Sequence, residues 1–140
     1  MPDRPEATLP PVPEADAPDR VRAIYADIRA TKNLDAVPRF WRVLANDPDL
    51  LDRTWSQLKA TMHPAGPTQL SPLVREIIAL AVSATNGCPY CVHSHTAAVR
   101  KLGLDAAGVG EVMRVVALFN ATNALAHGFQ VEPDVFAPRD

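Results

Sequence analysis

Cys88 and Cys91 stand three residues apart in Cys88-Pro89-Tyr90-Cys91, His95 follows the second cysteine by four residues, and Glu76 precedes the first by twelve. These residue types at this spacing point to thiol redox chemistry. The thiolate, not the thiol, attacks peroxides and disulfides, and helix starts and neighbouring imidazolium groups stabilise it near neutral pH. Proline is favoured at the first helical position, so Pro89 places both sulfurs in the opening turn of a helix. At 100° per residue, Cys88, Cys91 and His95 fall within about 60° of one another, with Tyr90 and His93 on the other side. Thiols at i and i+3 in such a turn can close a disulfide. His95 lies one turn beyond Cys91, which favours Cys91 as the attacking thiol and Cys88 as the one that resolves its sulfenic acid. Proximity to the helix start alone favours Cys88 as nucleophile, and the spacing leaves both assignments open.

Glu76 falls ten residues before the Asn86-Gly87 break, about 15 Å back along its own helix. In an antiparallel pair that sets it level with His95. A carboxylate there would orient the imidazole and let protons pass between thiol and solvent. The competing expectation is a solvated glutamate, because Arg75, Glu76 and Ser83 form the polar stripe of an otherwise apolar helix. Two thiolates, an imidazole and a carboxylate could also hold zinc, but structural CxxC zinc sites usually bring a second ligand pair from elsewhere, and the chain has only these two cysteines. His93 and Tyr90 read as packing or subunit-contact residues, and His63 and His127 have no identifiable partner in the sequence.

The elements that must position these groups read as helices throughout. Val21, Ile24, Tyr25 and Ile28 recur at helical spacing from Asp19 to about residue 31. Phe40, Trp41, Val43 and Leu44 give a short second helix expected to bury two aromatics. Asp47-Pro48 caps a third helix through Met62. Ser71-Pro72 repeats that signal before Leu73, Val74, Ile77, Ile78, Leu80, Ala81 and Val82, a helix apolar nearly all round and therefore expected at the centre of the fold. Asn86-Gly87 ends it with residues that tolerate a left-handed turn, and the cysteine-bearing helix follows to about Leu102. A last helix spans about 106 to 127. With no alternating segment and no repeat, the expectation is a single-domain all-α fold in which a helical hairpin carries the CxxC at the start of its second helix. Residues 1–18 hold six prolines and read as a solvated arm, 19–128 as the helical domain, and 129–140 as a tail.

Composition bounds the remaining options. Among 140 residues, 14 basic against 16 acidic side chains give a net charge of −2, which recruits neither nucleic acid nor an anionic membrane. The start lacks an apolar leader and no run approaches a membrane span, so the expected location is the cytoplasm, where two nearby cysteines are catalytic or metal-binding rather than a structural staple.

The string Arg75-Glu76-Ile77-Ile78 with Asn86-Gly87-Cys88-Pro89-Tyr90-Cys91-Val92-His93-Ser94-His95 resembles the alkylhydroperoxidase AhpD-like branch of the carboxymuconolactone decarboxylase superfamily. The close match covers residues 71–104, and Val37-Pro38-Arg39-Phe40-Trp41 looks like its peroxidase-related subgroup. The resemblance implies an all-helical fold and a ring-like homo-oligomer such as a trimer or hexamer. It also implies reduction of organic hydroperoxides by Cys91, with Cys88 resolving and Glu76 and His95 relaying protons. A thiol reductant, in the best-known members a lipoyl-bearing adaptor protein, would reopen the disulfide, and no metal or organic cofactor is needed. Some members carry histidine directly before the second cysteine. Here Tyr90 stands in that place, and a phenol with an ordinary pKa near 10 is a poor proton shuttle at pH 7. The decarboxylases of the superfamily lack the paired cysteines and match less well. Without the resemblance, the same residues also suit a general thiol-disulfide oxidoreductase or a redox-sensing assembly protein.

Overall fold

A computed structural model of the chain describes residues 6–139, and all regular structure among them is helical. Six α-helices follow a short 3-10 turn at Glu14–Asp16: α1 (Asp19–Lys32), α2 (Arg39–Leu44), α3 (Pro48–Met62), α4 (Pro72–Asn86), α5 (Pro89–Lys101) and α6 (Ala106–Gly128). Their starts follow the caps read from sequence. Asp47 accepts from the Asp49 and Leu50 amides, Ser71 from Val74 and Asp105 from Gly108, each satisfying amides that a helix start leaves open. No described helix is long and apolar enough to cross a membrane.

The chain forms two compact units, Met1–Thr68 and Gln69–Asp140. In the first, Val21, Tyr25 and Ile28 of α1 pack with Trp41 of α2 and with Leu51 and Trp55 of α3, and the two indoles meet edge to face at 5.2 Å. Phe40 departs from the expectation that α2 buries both of its aromatics. It is 41% exposed, because a six-residue helix presents only the Trp41 side to the core.

The proline-rich segment also differs from a solvated arm, apart from residues 1–5, which lie outside the described residues. Val12 donates its amide to the Arg42 carbonyl and accepts from the Tyr25 hydroxyl, while Asn46 donates to the Pro10 carbonyl. The Glu14 carboxylate takes hydrogen bonds from Arg29 and from the Val37 amide, and Ala17 is buried. Prolines remove amide donors, and the segment is pinned chiefly by its acceptors, the Pro10 and Val12 carbonyls and the Glu14 carboxylate, without a helix of its own.

The second unit consists of α4, α5 and α6, each packed on the other two. Its buried side chains among the described residues are Leu80, Ser83 and Val99. Helix α4 is thus less enclosed than its composition suggests: Val74, Ile78 and Val82, one stripe at spacing four, remain 40–53% exposed. Two neighbouring helices cover two sides of a helix and leave the third open.

Two predictions follow from local geometry. Gly87 has φ +69°, a left-handed conformation that a Cβ disfavours by about 1–2 kcal/mol, so Gly87→Ala should lower the unfolding free energy in a denaturant titration by about that much, and Gly87→Asn by less. In the first unit, Lys59 at 2.8 Å and the Trp55 indole N–H hold the Asp27 carboxyl below its ordinary range. A depressed folded-state value contributes stability above the ordinary carboxylate range and loses it as pH falls through the folded value. Asp27→Asn should therefore be less stable than the native chain at neutral pH, and denaturation in progressively more acid buffer should find the difference closing.

Candidate active site

The α4–α5 turn builds the site. Gly87 and Cys88 donate their amides back to the Ala84 and Ser83 carbonyls, closing α4 in a left-handed turn. The Cys88 side chain then caps α5, its Sγ accepting from the Cys91 amide at 3.2 Å. One residue thus ends the first helix with its backbone and begins the next with its sulfur. Pro89 occupies the first position of α5, where a missing N–H removes no hydrogen bond. Cys88 and Cys91, with Cα atoms 5.3 Å apart, are joined by a disulfide, and both are half-buried.

One turn below, His95 Nδ1 and Glu76 Oε2 lie 2.6 Å apart. The Glu76 side chain is 14% exposed and that of His95 26%, so the glutamate is a packed partner of the imidazole and not a solvated residue of a polar stripe. A carboxylate oxygen accepts in this contact, so Nδ1–H is the donor and Nε2 the nitrogen left for other exchange. Cys91 and His95, at i and i+4 on α5, are neighbours on adjacent turns. The four residues singled out from sequence therefore fall into two pairs, a disulfide and a hydrogen-bonded carboxylate–imidazole pair, stacked along one side of the hairpin.

Tyr90 and His93 are exposed, Tyr90 at 45%, on the side of α5 that the helical angle assigns them. His63 and His127 are also exposed and lie away from the α4–α5 turn in sequence. Ser83 is the residue the sequence undervalued. It is buried at 8%, donates its hydroxyl to the Ala79 carbonyl at 2.6 Å, and receives the Cys88 amide on its own carbonyl. Its signal was the seven-residue spacing from Glu76, which puts both on the side of α4 that faces α5. Among the described residues, no group of three or more His, Cys, Asp or Glu side chains is gathered as a metal site would require. While the two sulfurs are bonded to each other, they are not thiolate donors.

A family model described as the carboxymuconolactone decarboxylase family matches residues 48–131, a span that contains all four of these side chains. The chain belongs to the carboxymuconolactone decarboxylase family. Its AhpD-like character rests on a crystal structure of the alkylhydroperoxidase AhpD core from Rhodospirillum rubrum, which is 45% identical with TM-score 0.87 over 93% of this chain and 96% of that one. An uncharacterised peroxidase-related protein from Silicibacter sp. shares the fold at 22% identity and TM-score 0.59, over 96% of both chains. Curated relatives named alkyl hydroperoxide reductase AhpD match over shorter stretches. The one from Gluconacetobacter diazotrophicus is 42% identical over 48% of this chain and 37% of its own length, and the one from Streptomyces avermitilis is 33% identical over 57% and 44%. The chain thus spans less than half the length of these curated members of the carboxymuconolactone decarboxylase family.

The Glu76–His95 geometry makes a prediction that needs no substrate. In ¹⁵N-resolved spectra of the native protein the His95 imidazole should hold its proton on Nδ1, and Glu76→Ala should release it to the mixture of tautomers usual for a solvated histidine. An unchanged ring signal in the variant would show that Glu76 does not orient it.

Proposed function

We propose that this chain is a thiol-dependent peroxidase that reduces organic hydroperoxides. The carrying observation is the Cys88–Cys91 disulfide at the start of α5 with the part-buried Glu76–His95 pair one turn away. In the reduced protein, the Cys91 thiolate attacks the terminal peroxide oxygen, the O–O bond breaks, and the alkoxide leaves as alcohol with a proton supplied through His95. Cys91 is then a sulfenic acid. The Cys88 sulfur attacks it, the S–O bond breaks, water departs, and the disulfide forms. Glu76 holds the imidazole in the tautomer that leaves Nε2 free to pass protons.

The cap acts in the return of the disulfide to thiols. An external dithiol that attacks Cys91 expels Cys88 as thiolate, and the open amides of the α5 start, the Cys91 N–H among them, stabilise the charge that develops on that sulfur. A reductant of this kind, of which a lipoyl group on an adaptor protein is one, returns both cysteines to thiols. The cytoplasm is the compartment that keeps such a pair reduced between turnovers. A ring-like homo-oligomer, trimer or hexamer, is the proposed assembly, supported by the exposed Val74, Ile78 and Val82 stripe of α4.

Titrating the thiols of the reduced protein before and after one equivalent of an organic hydroperoxide tests the reaction. Both thiols should vanish as alcohol appears, and intact mass should show the disulfide. Unreacted thiols, with exchange toward other disulfides intact, would favour a general oxidoreductase. Cys91→Ser should abolish peroxide consumption and Cys88→Ser should leave a trappable sulfenic acid at Cys91, whereas loss of peroxide reactivity in Cys88→Ser alone would reverse the two roles. Glu76→Gln or His95→Asn should slow the first step by about 10²–10⁴-fold, the range of a general acid–base contribution.

A further inference from the structure

An apolar groove runs between α4 and α6 in the second unit, apart from the cysteines. Two adjoining hollows, of about 320 and 370 Å³, share Ala81, Val115 and Val116 and form one trough. One end is marked by Glu111, the other by the amides Asn86, Asn120 and Asn123, with Thr85 and Asn120 hydrogen-bonded across the helices. Along its rim Val82, Val115 and Phe119 are 53–56% exposed.

The same chain carries a segment with the complementary problem. After α6 the backbone turns through a left-handed Gln130, whose neighbour Val131 donates to the Ala126 carbonyl, and continues without regular structure. Phe129, Val131, Val135 and Phe136 are 66–86% exposed there, so the chain's own groove does not receive them. In an extended segment Val131, Pro133 and Val135 share one side and Glu132, Asp134 and Phe136 the other.

We propose that the C-terminal segment of one copy lies in the α4/α6 groove of another. The proposal rests on the homo-oligomer reading above and supplies its contact. Dimensions agree: Val131 to Phe136 spans about 17 Å when extended, and the stretch of α6 from Gly108 to Asn123 is about 22 Å long. Charge agrees as well. Glu111, whose ion pair with Arg114 is a loose 4.0 Å, is the acidic group of the groove, and Arg139 follows the apolar run of the tail at a distance that reaches it. The amides of Asn120 and Asn123 can pair with the backbone of an extended strand, which otherwise enters an apolar trough with its N–H and C=O groups unmet. Val131 and Val135 of one copy and Val82, Val115 and Phe119 of the next, at about 100 Å² each, bury about 500 Å² in total, a small contact taken singly, and a closed ring gives each copy two of them. A tail-to-groove contact joins different surfaces of the two copies, the kind of contact that closes into a ring.

Sedimentation equilibrium on full-length chains tests this without peroxide chemistry. The variant Val131→Asp, Val135→Asp, Phe136→Asp alters side chains already open to solvent in the single chain, so it should fold normally while its assembly weakens at least 100-fold. Glu111→Arg should weaken assembly several-fold, and adding Arg139→Glu should restore it. If the triple variant assembles as the native chain does, the tail proposal fails and the oligomer reading stands. If the native chain is monomeric at all concentrations, both fail. Neither result bears on whether the reduced cysteines consume peroxide.

Discussion

The left-handed turn at Gly87 is the constraint on which the site depends. It lets α4 end and α5 begin with no linker between them, so that the Cys88 amide and the Cys88 sulfur serve two successive helices. Were the connection longer, Glu76 on α4 and His95 on α5 would lose the register that brings them to 2.6 Å, because their levels along the hairpin are counted from this turn. Backbone conformation at one glycine thus fixes the distance between two side chains that are nineteen residues apart.

The two units solve the burial problem differently. The first encloses its own core, with Tyr25, Trp41, Leu51 and Trp55 each at or below 3% exposure, and its proline-rich lead-in is tied down by hydrogen bonds from Tyr25 and Asn46 and to Glu14. The second, which carries the Cys88–Cys91 disulfide, buries few side chains within the chain and leaves apolar stripes on α4 and α6 open. The disulfide on this lightly enclosed unit is supported by hydrogen bonds at its turn and by the Glu76–His95 contact more than by a surrounding core.

Much of this was legible in the sequence. Cap-then-proline signals at Asp47-Pro48 and Ser71-Pro72, and the Asn86-Gly87 stop, are local rules written in adjacent residues, and the helices begin and end at them. The helical angle correctly separated Cys88, Cys91 and His95 from Tyr90 and His93. What could not be read was anything that depends on a partner distant in sequence. Whether Glu76 met solvent or an imidazole turned on how α4 and α5 pair, and whether residues 10–17 frayed or docked turned on carbonyls and amides of α1 and α2. The apolar circumference of α4 gave the opposite error: it marked a helix to be covered on all sides, but periodicity does not say whether the covering comes from the same chain.

The disulfide closes a loop of only four residues within one helical turn. The entropy that a cross-link removes from an unfolded chain grows with the loop it closes, and for so short a loop the effect is about 2 kcal/mol, against almost 5 for a bridge spanning a hundred residues. Opening and closing this bond therefore shifts the folding equilibrium by less than half of what a long-range bridge would. The hydrogen bonds that close α4 and the Glu76–His95 contact do not run through the sulfur–sulfur bond, so the scaffold that holds the two cysteines is built separately from the bond between them.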